Sequence, residues 1–149
     1  MKNKIVDSHC HLNFDDFKDD LDNVIKNAKD KDVDYMLSIS IDLEKFEEIY
    51  NLTQKYKNVW CTTGVHPNNV PKKLDIKNIT KLKSQLLKNL LKKKVVGIGE
   101  TGLDYYRSLE NKQNQIDFFE THMQVSGETN SPTVIHTRNA DEDTIFFLN

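Results

Sequence analysis

Two histidines lie one residue apart near the start of the chain, in the stretch IVDSHCHLNF at residues 5–14. Side chains alternate faces along a strand, so His9 and His11 would share one face, where two imidazoles can converge on a single metal ion. Asp7 falls on the same face and is predicted to orient a ligand histidine. Taken alone, an HxH pair is as typical of two structural histidines as of a metal site.

Further side chains of the metal-ligating types follow other apolar runs of the sequence. Glu100 ends VVGIGE, His136 ends PTVIH, and His66 follows VWCTTGV. In parallel α/β folds, functional groups gather at the carboxyl ends of the strands. Imidazoles with a carboxylate suit zinc or another first-row divalent ion, whereas carboxylate- and water-rich sites suit magnesium or manganese. A carboxylate can also bridge two ions about 4 Å apart, as in two-metal phosphodiester hydrolysis.

Three positions in the sequence admit a purely structural interpretation. His66 precedes Pro67 and could shape a loop, but we favour a role in lining the site. Glu100 could cap a turn before Gly102, but its place after an apolar strand favours the ligand role. His122 lies within the helical stretch FFETHMQ and is interpreted as an ordinary surface or half-buried polar residue.

The segment GLDYYR and the downstream Arg138 raise the question of a nucleic-acid contact. Tyr105 and Tyr106 are more typical of packing, although a loop on the active face would let them stack on a base. Arg107 and Arg138 could each meet a phosphate or pair with a nearby acid. The residue types leave both alternatives open.

Apolar periodicity predicts the elements that must position these groups. Strands are predicted at 5–6, 34–41, 59–65 and 95–100 and from Pro132, and helices over 15–32, 43–58, 76–94 and 111–128 and from Asp141. This alternation implies an α/β fold of parallel strands joined by right-handed crossovers. The strands are short and nearly all apolar, which predicts a sheet covered on both faces. We find no linker, so residues 1–149 are predicted to form a single domain.

Composition excludes several classes of function. The 149 residues include 21 Lys plus Arg and 23 Asp plus Glu, a formal net charge of -2 that excludes a general polyanion-coating role. No apolar stretch approaches the roughly 20 residues needed to span a bilayer. The N-terminus turns polar too early for a signal peptide, which predicts a cytoplasmic protein. Cys10 and Cys61 are accordingly interpreted as reduced, buried thiols.

Four motifs together resemble the TatD-type metal-dependent deoxyribonucleases. They are IVDSHCHLNF, GVHP, VGIGETGLDYYR and PTVIHTRNADEDT, in the right order across essentially the whole chain. The resemblance implies a TIM-like (β/α) barrel and hydrolysis of DNA phosphodiesters by a metal-activated water. It implies two divalent ions (Mg, Mn or Zn), with His9 and His11 binding one, His136 binding the other, and Glu100 bridging both as the catalytic carboxylate.

The resemblance also implies a substrate pocket lined by His66, Asp104 and Arg138. The expected partner is DNA, as single strands or strand ends. Binding to a membrane is not expected.

The family's pattern extends beyond Asn149, where this sequence ends. It supplies a further histidine ligand after the sixth strand and an aspartate ligand near the end of the eighth. We therefore expect a C-terminally truncated, incomplete barrel with about five of eight βα units, in which each ion lacks one protein ligand. The unpaired edges of the first and fifth strands predict self-association.

Three hypotheses follow from this comparison of motifs and length. The chain is a nuclease, active alone or completed by a separate fragment. Alternatively, it is a non-catalytic remnant that lacks the last histidine and aspartate ligands. A third hypothesis is a metal hydrolase that acts on a non-nucleic substrate, because barrel metal sites serve many reactions.

Overall fold

A computed structural model describes residues 4–106 and 109–149 of the chain. Within them strands and helices alternate as predicted. The strands are β1 (Ile5–Cys10), β2 (Val33–Ser38), β3 (Val59–Thr63), β4 (Val95–Asp104) and β5 (Thr133–Arg138). The helices are α1 (Leu21–Asp30), α2 (Phe46–Lys55), α3 (Ile76–Leu90), α4 (Lys112–Thr129) and α5 (Asp141–Leu148). Two short 3-10 helices cover Asp15–Phe17 and Pro67–Asn69.

The strands form one parallel sheet in the order β1-β2-β3-β4-β5. Each strand pairs with the next one along the chain, so all the carboxyl ends lie at one edge of the sheet. This confirms the five βα units expected of an incomplete TIM-like barrel. Within the described residues β1 and β5 each pair on one side only. The self-association predicted from these edges stays a prediction.

The helices cover one face of the sheet, and the core lies between the helices and that face. Ile98 of β4 packs with Leu82 and Leu86 of α3 and with Phe118 and Val125 of α4. A second cluster joins α1 to β2 and β3 through Ile25, Met36 and Val59. Burial of these aliphatic and aromatic side chains contributes roughly 1.5–3 kcal/mol each.

The opposite face of the sheet is open, which corrects the prediction that both faces are covered. Val6, Tyr35 and Val96 are 59%, 45% and 43% exposed. Tyr35 alternates with buried Met36 and Val96 with buried Val95, and both of these neighbours pack in core clusters. The strands are therefore apolar on both faces, although no described residue covers the face opposite the helices.

Strand β4 extends beyond the end that the sequence predicts. Its pairing with β5 runs from Ile98 with Thr133 to Asp104 with Arg138, with a register shift between Ile98 and Thr101. Glu100 therefore lies inside the strand, and the alternative that it caps a turn is wrong. The following glycine, Gly102, has a φ of 139° and continues the strand in a conformation that disfavours other residues.

Several helices are shorter than predicted, and α2 covers Phe46–Lys55 instead of 43–58. Helix α1 begins at Leu21, because residues 15–17 form a separate 3-10 turn. Helix α3 ends at Leu90, so Lys94 lies beyond it. Its ammonium group donates hydrogen bonds to the carbonyls of Thr53 (2.6 Å) and Tyr56 (2.8 Å) at the end of α2. The lysine thus satisfies the C-terminus of a neighbouring helix.

In the described part of the chain, no helix has both the length and the apolar composition needed to cross a bilayer.

Candidate metal centre

The carboxylate of Glu100 lies at the centre of a cluster of four histidines. Its side chain is 9% exposed. One oxygen, Oε2, lies 3.3 Å from Nε2 of His9 and 3.9 Å from Nε2 of His11. The other oxygen, Oε1, lies 3.2 Å from Nδ1 of His136 and 4.0 Å from Nε2 of His66. The two oxygens therefore face two different histidine pairs, drawn from β1 and the residue that follows it, from β5, and from the loop after β3.

This cluster fits divalent metal ions by the chemistry of its donor atoms. Among the described residues, only imidazoles contact the Glu100 carboxylate, and no lysine or arginine balances its charge. Imidazole nitrogen with carboxylate oxygen is a preferred donor set of zinc and related ions. Donor atoms around one tetrahedral zinc lie about 3.3 Å apart, close to the 3.2 Å and 3.3 Å of the shortest pairs. A buried carboxylate without a cation would be costly, whereas one that shares ions is stable.

His11 is oriented by a backbone carbonyl. Its Nδ1 lies 3.1 Å from the carbonyl oxygen of Ile39, so Nδ1 carries the proton and Nε2 presents a lone pair to the site. Its ring stacks on Phe14 with centroids 4.7 Å apart. Asp7, which was predicted to orient a ligand histidine, instead accepts a hydrogen bond from the backbone N–H of His9 at 3.1 Å.

His136 is oriented by Asp104, which is almost fully buried. Nε2 of His136 lies 3.3 Å from Oδ2 of Asp104. Burial by itself raises the pKa of Asp104, but hydrogen bonds from the Tyr106 N–H and the Asn68 side chain, with His136, outweigh it and hold that pKa below its usual range. Asp104 is therefore an ionised acceptor, which can orient the His136 ring with Nδ1 toward Glu100.

His66 lies in the loop that follows β3, immediately before the short helix Pro67–Asn69. Its Nε2 is 3.2 Å from Nδ1 of His136, and its Nδ1 accepts the backbone N–H of Asn68 at 3.1 Å. Burial, with the neighbouring His136, lowers the pKa of His66 to about 4. The ring is therefore neutral at physiological pH.

A cation and an aromatic ring lie next to the cluster. Arg138 is two residues after His136 on β5, so both side chains point to one face. Its guanidinium carbon lies 3.7 Å from the centroid of the Tyr106 ring, which is 60% exposed. Tyr105 differs from its neighbour, because its hydroxyl donates to Asp143 at 2.7 Å and its ring packs in the core. Arg107 lies outside the described residues.

His122 is fully buried, which corrects its interpretation as a surface or half-buried residue. Its Nε2 accepts the backbone N–H of Val65 at 3.2 Å, and its Nδ1–H donates to the carbonyl of Phe118 at 2.6 Å. The histidine thus ties α4 to the backbone just before His66. The only indication in the sequence that His122 is buried is its position four residues after Phe118, on the same side of the helix.

Protonation of His122 is expected to make folding stability depend on pH. Burial lowers its pKa to about 4, whereas the unfolded chain titrates near 6.5. The stability contributed by neutral His122 is therefore complete above about pH 6.5 and is lost as the pH falls toward 4, by about 3 kcal/mol. His122→Gln should remove this dependence, because its amide keeps an acceptor and a donor.

Urea denaturation of both proteins from pH 7.5 to pH 4 measures the effect. Other groups, His66 included, titrate in both proteins and cancel in the difference. If the wild-type protein and His122→Gln lost the same free energy of unfolding between pH 7.5 and pH 4, the contribution assigned to His122 would be contradicted.

A sheet of successive parallel βα units, with a histidine–carboxylate cluster near the carboxyl ends of its strands, is an arrangement typical of metal-dependent enzymes of the barrel type. The family model described as TatD related DNase matches residues 6–149. The chain therefore belongs to the TatD-related DNase family.

The sequences of two curated relatives are also similar to this chain. An uncharacterised metal-dependent hydrolase of Buchnera aphidicola is 37% identical over 148 residues, which cover 97% of this chain and 56% of that protein. The deoxyribonuclease TATDN3 of Homo sapiens is 32% identical over 154 residues, again covering 97% of this chain and 56% of the relative. The chain thus spans about half the length of the curated relatives it matches.

The fold is likewise shared with a solved structure. The crystal structure of YjjV, a TatD homologue from Escherichia coli K12, superposes with a TM-score of 0.85 at 22% identity. The match covers 97% of this chain and 54% of the other. The five βα units are thus those of an incomplete TIM-type barrel.

Proposed function

We propose that this chain, as a single partial TatD-type domain of a cytoplasmic protein, carries the two-metal centre of a deoxyribonuclease. The observation that supports the proposal is the placement of Glu100, whose two carboxylate oxygens face separate histidine pairs. Such a carboxylate can be shared by two divalent ions, whether Mg, Mn or Zn. The reaction would be hydrolysis of a DNA phosphodiester by an activated water.

The residues of the chain would each have a defined task in this reaction. Bound divalent ions supply Lewis acidity toward a water molecule and a phosphate oxygen. Glu100 would hold both ions in fixed relation, and His9, His11 and His136 would complete their protein ligands. The carbonyl of Ile39 and the carboxylate of Asp104 lie against the outer nitrogens of His11 and His136 and would favour the tautomer that coordination requires.

Nucleic acid as the substrate is supported by Tyr106 and Arg138. A solvent-exposed ring offers a stacking surface to a base, worth roughly 1–3 kcal/mol in single-strand complexes. The Arg138 guanidinium stacks on that ring and contacts no acid among the described residues, so its N–H groups can meet a phosphate. Both features favour a single strand or a strand end, because unpaired bases are available for stacking.

The proposal is tested by hydrolysis assays on the purified chain with Mg²⁺, Mn²⁺ or Zn²⁺. We expect single-stranded DNA to be cleaved faster than duplex DNA, a phosphomonoester or an amide. EDTA should abolish cleavage, and His9→Ala should lower kcat/KM by at least ~100-fold, because loss of even an outer partner of a ligand costs 10–100-fold. Lys26→Ala, on the exposed surface of α1, is the control and should cleave normally.

Each other outcome identifies an alternative. Hydrolysis confined to the phosphomonoester or amide would favour the non-nucleic hydrolase. Metal binding without any hydrolysis would favour the non-catalytic remnant. Cleavage that survives His9→Ala would overturn the site itself. Arg138→Gln distinguishes binding from chemistry, since it should raise KM for DNA about tenfold with little change in kcat.

A further inference from the structure

The peptide group that precedes Glu100 is held by hydrogen bonds at both of its polar atoms. The N–H of Glu100 donates to the carbonyl of Ser40 at 2.6 Å. The carbonyl of Gly99 accepts the hydroxyl of Thr62 at 2.5 Å. The direction in which the Glu100 side chain leaves β4 depends on how this peptide group is turned, so these two bonds bear on the placement of the carboxylate.

Thr62 connects the two hydrogen bonds. Its Oγ1 donates to Gly99 and also accepts the N–H of Ser40 at 3.0 Å. The Ser40 hydroxyl donates in turn to the carbonyl of Gly64 at 3.1 Å. Thr62 and Ser40 are both fully buried, so a lost bond would leave a backbone group unpaired and shielded from solvent.

The bond to the Gly99 carbonyl depends on the type of side chain at position 62. The pairing of β3 with β4 is irregular between Cys61 and Thr63, and at this point a side-chain hydroxyl meets the Gly99 carbonyl. A backbone N–H would be available as donor from any residue except proline. A hydroxyl donor instead makes the orientation of the peptide before Glu100 depend on one residue of β3.

The neighbouring strands leave Gly99 little room to move. A Cβ on Gly64 would lie 2.5 Å from Cα of Gly99, and a Cβ on Gly99 would lie 2.5 Å from the carbonyl oxygen of Val134. Gly99 is therefore confined between the residue that follows β3 and a residue of β5. Confinement limits translation of the backbone, and the bonds to Thr62 and Ser40 oppose rotation of the peptide group.

We propose that Thr62 is a positioning residue for Glu100, which holds the carboxylate in its shared orientation before any ion binds. The proposal rests on the metal centre of the proposed function and not on its DNA substrate. Two oxygens that serve separate histidine pairs tolerate little rotation, because a functional constellation must be held within about 0.5 Å of its productive geometry. Loss of an outer partner of a ligand typically lowers metal affinity about 10–100-fold.

Thr62→Val and Thr62→Ser separate the hydroxyl from the rest of the side chain. Valine has nearly the shape of threonine but can neither donate nor accept, whereas serine keeps the hydroxyl. We expect Thr62→Val to bind Mn²⁺ and Zn²⁺ about 10–100-fold more weakly in calorimetric titration of the metal-free protein. Thr62→Ser should bind both ions at least about tenfold more tightly than Thr62→Val.

Thr63→Val is the matched control. Thr63 is the adjacent, equally buried residue of β3, and its hydroxyl accepts a hydrogen bond from Asn89 of α3 at 3.0 Å. The control also leaves a buried polar group unpaired, so it should lower stability in urea, but it should leave metal affinity unchanged. Equal loss of affinity in Thr62→Val and Thr63→Val, or wild-type affinity in Thr62→Val, would overturn the proposal.

A second measurement needs no variant. In the metal-free wild-type protein, the Glu100 amide should exchange its hydrogen as slowly as that of Ile98, whose N–H donates to the carbonyl of Pro132 at 2.9 Å. Rapid exchange that slows only when Zn²⁺ is added would show that the ion fixes Glu100, and would overturn the proposal. Absence of metal binding in the wild-type protein would instead refute the proposed function, and the two failures are therefore distinguishable.

Discussion

Glu100→Gln is expected to remove both metal ions at once, whereas His9→Ala and His136→Ala should each remove one. The amide is nearly isosteric with the carboxylate but carries no charge, and only one of its two terminal atoms can accept a metal ion. Since Oε1 and Oε2 of Glu100 face different histidine pairs, one ion of the proposed two-metal centre would lose its oxygen ligand, and the other would keep only a neutral amide oxygen. We expect affinity for each to fall by at least ~100-fold, more than the usual effect of an outer partner.

Calorimetric titration of the metal-free proteins with Mn²⁺ and Zn²⁺ measures this effect without reference to any substrate. Glu128→Gln is the matched control, because its carboxylate pairs with Lys83 at the surface of α4 and should not affect metal binding. If Glu100→Gln lost one ion and kept the other at wild-type affinity, Glu100 would not be shared.

Gly102→Ala is expected to be the most destabilising small substitution that the structure suggests. A Cβ at this position would lie 2.0 Å from the carbonyl oxygen of His136, and the φ of 139° is unfavourable for alanine. Steric overlap and backbone strain each cost about 1–3 kcal/mol, so we expect a loss of about 3 kcal/mol or more. Because the clash separates β4 from β5 at His136, metal affinity should fall as well.

Gly127→Ala provides the opposite expectation within the same protein. Gly127 lies in α4, and a Cβ there would meet nothing within 4 Å. Alanine should therefore raise stability by about 0.5–1 kcal/mol, through its helix propensity and the reduced freedom of the unfolded chain. Urea denaturation at pH 7.5 compares the two variants, and a loss in Gly102→Ala no larger than 1 kcal/mol would contradict the close approach of the strands.

The sequence alone determined the order of elements and the identity of the clustered residues. Alternation of short apolar runs with amphipathic segments requires parallel strands with crossover helices, and a parallel sheet places its carboxyl ends at one edge. That geometry is sufficient to predict that His9, His11, His66 and His136 meet Glu100. These rules depend on periods of two and of 3.6 residues, which can be read locally.

Only the tertiary structure decided the orientation of each group. The carbonyl that orients His11 comes from Ile39, and the ring that Nε2 of His66 approaches is His136. Such partners lie on different strands, so local periodicity contains no information about them. For the same reason, the sequence predicts that Asp7 orients a histidine ring, whereas the carbonyl of Ile39 orients His11.

Tertiary packing likewise reversed the interpretation of His122 and separated Tyr105 from Tyr106. Burial depends on which helix face meets the sheet and on what the next loop offers as a partner, here the N–H of Val65. The sequence therefore determined which residues form the site. The fold decided how the rings of His11 and His136 are oriented, because their hydrogen-bond partners, Ile39 and Asp104, are distant in the chain.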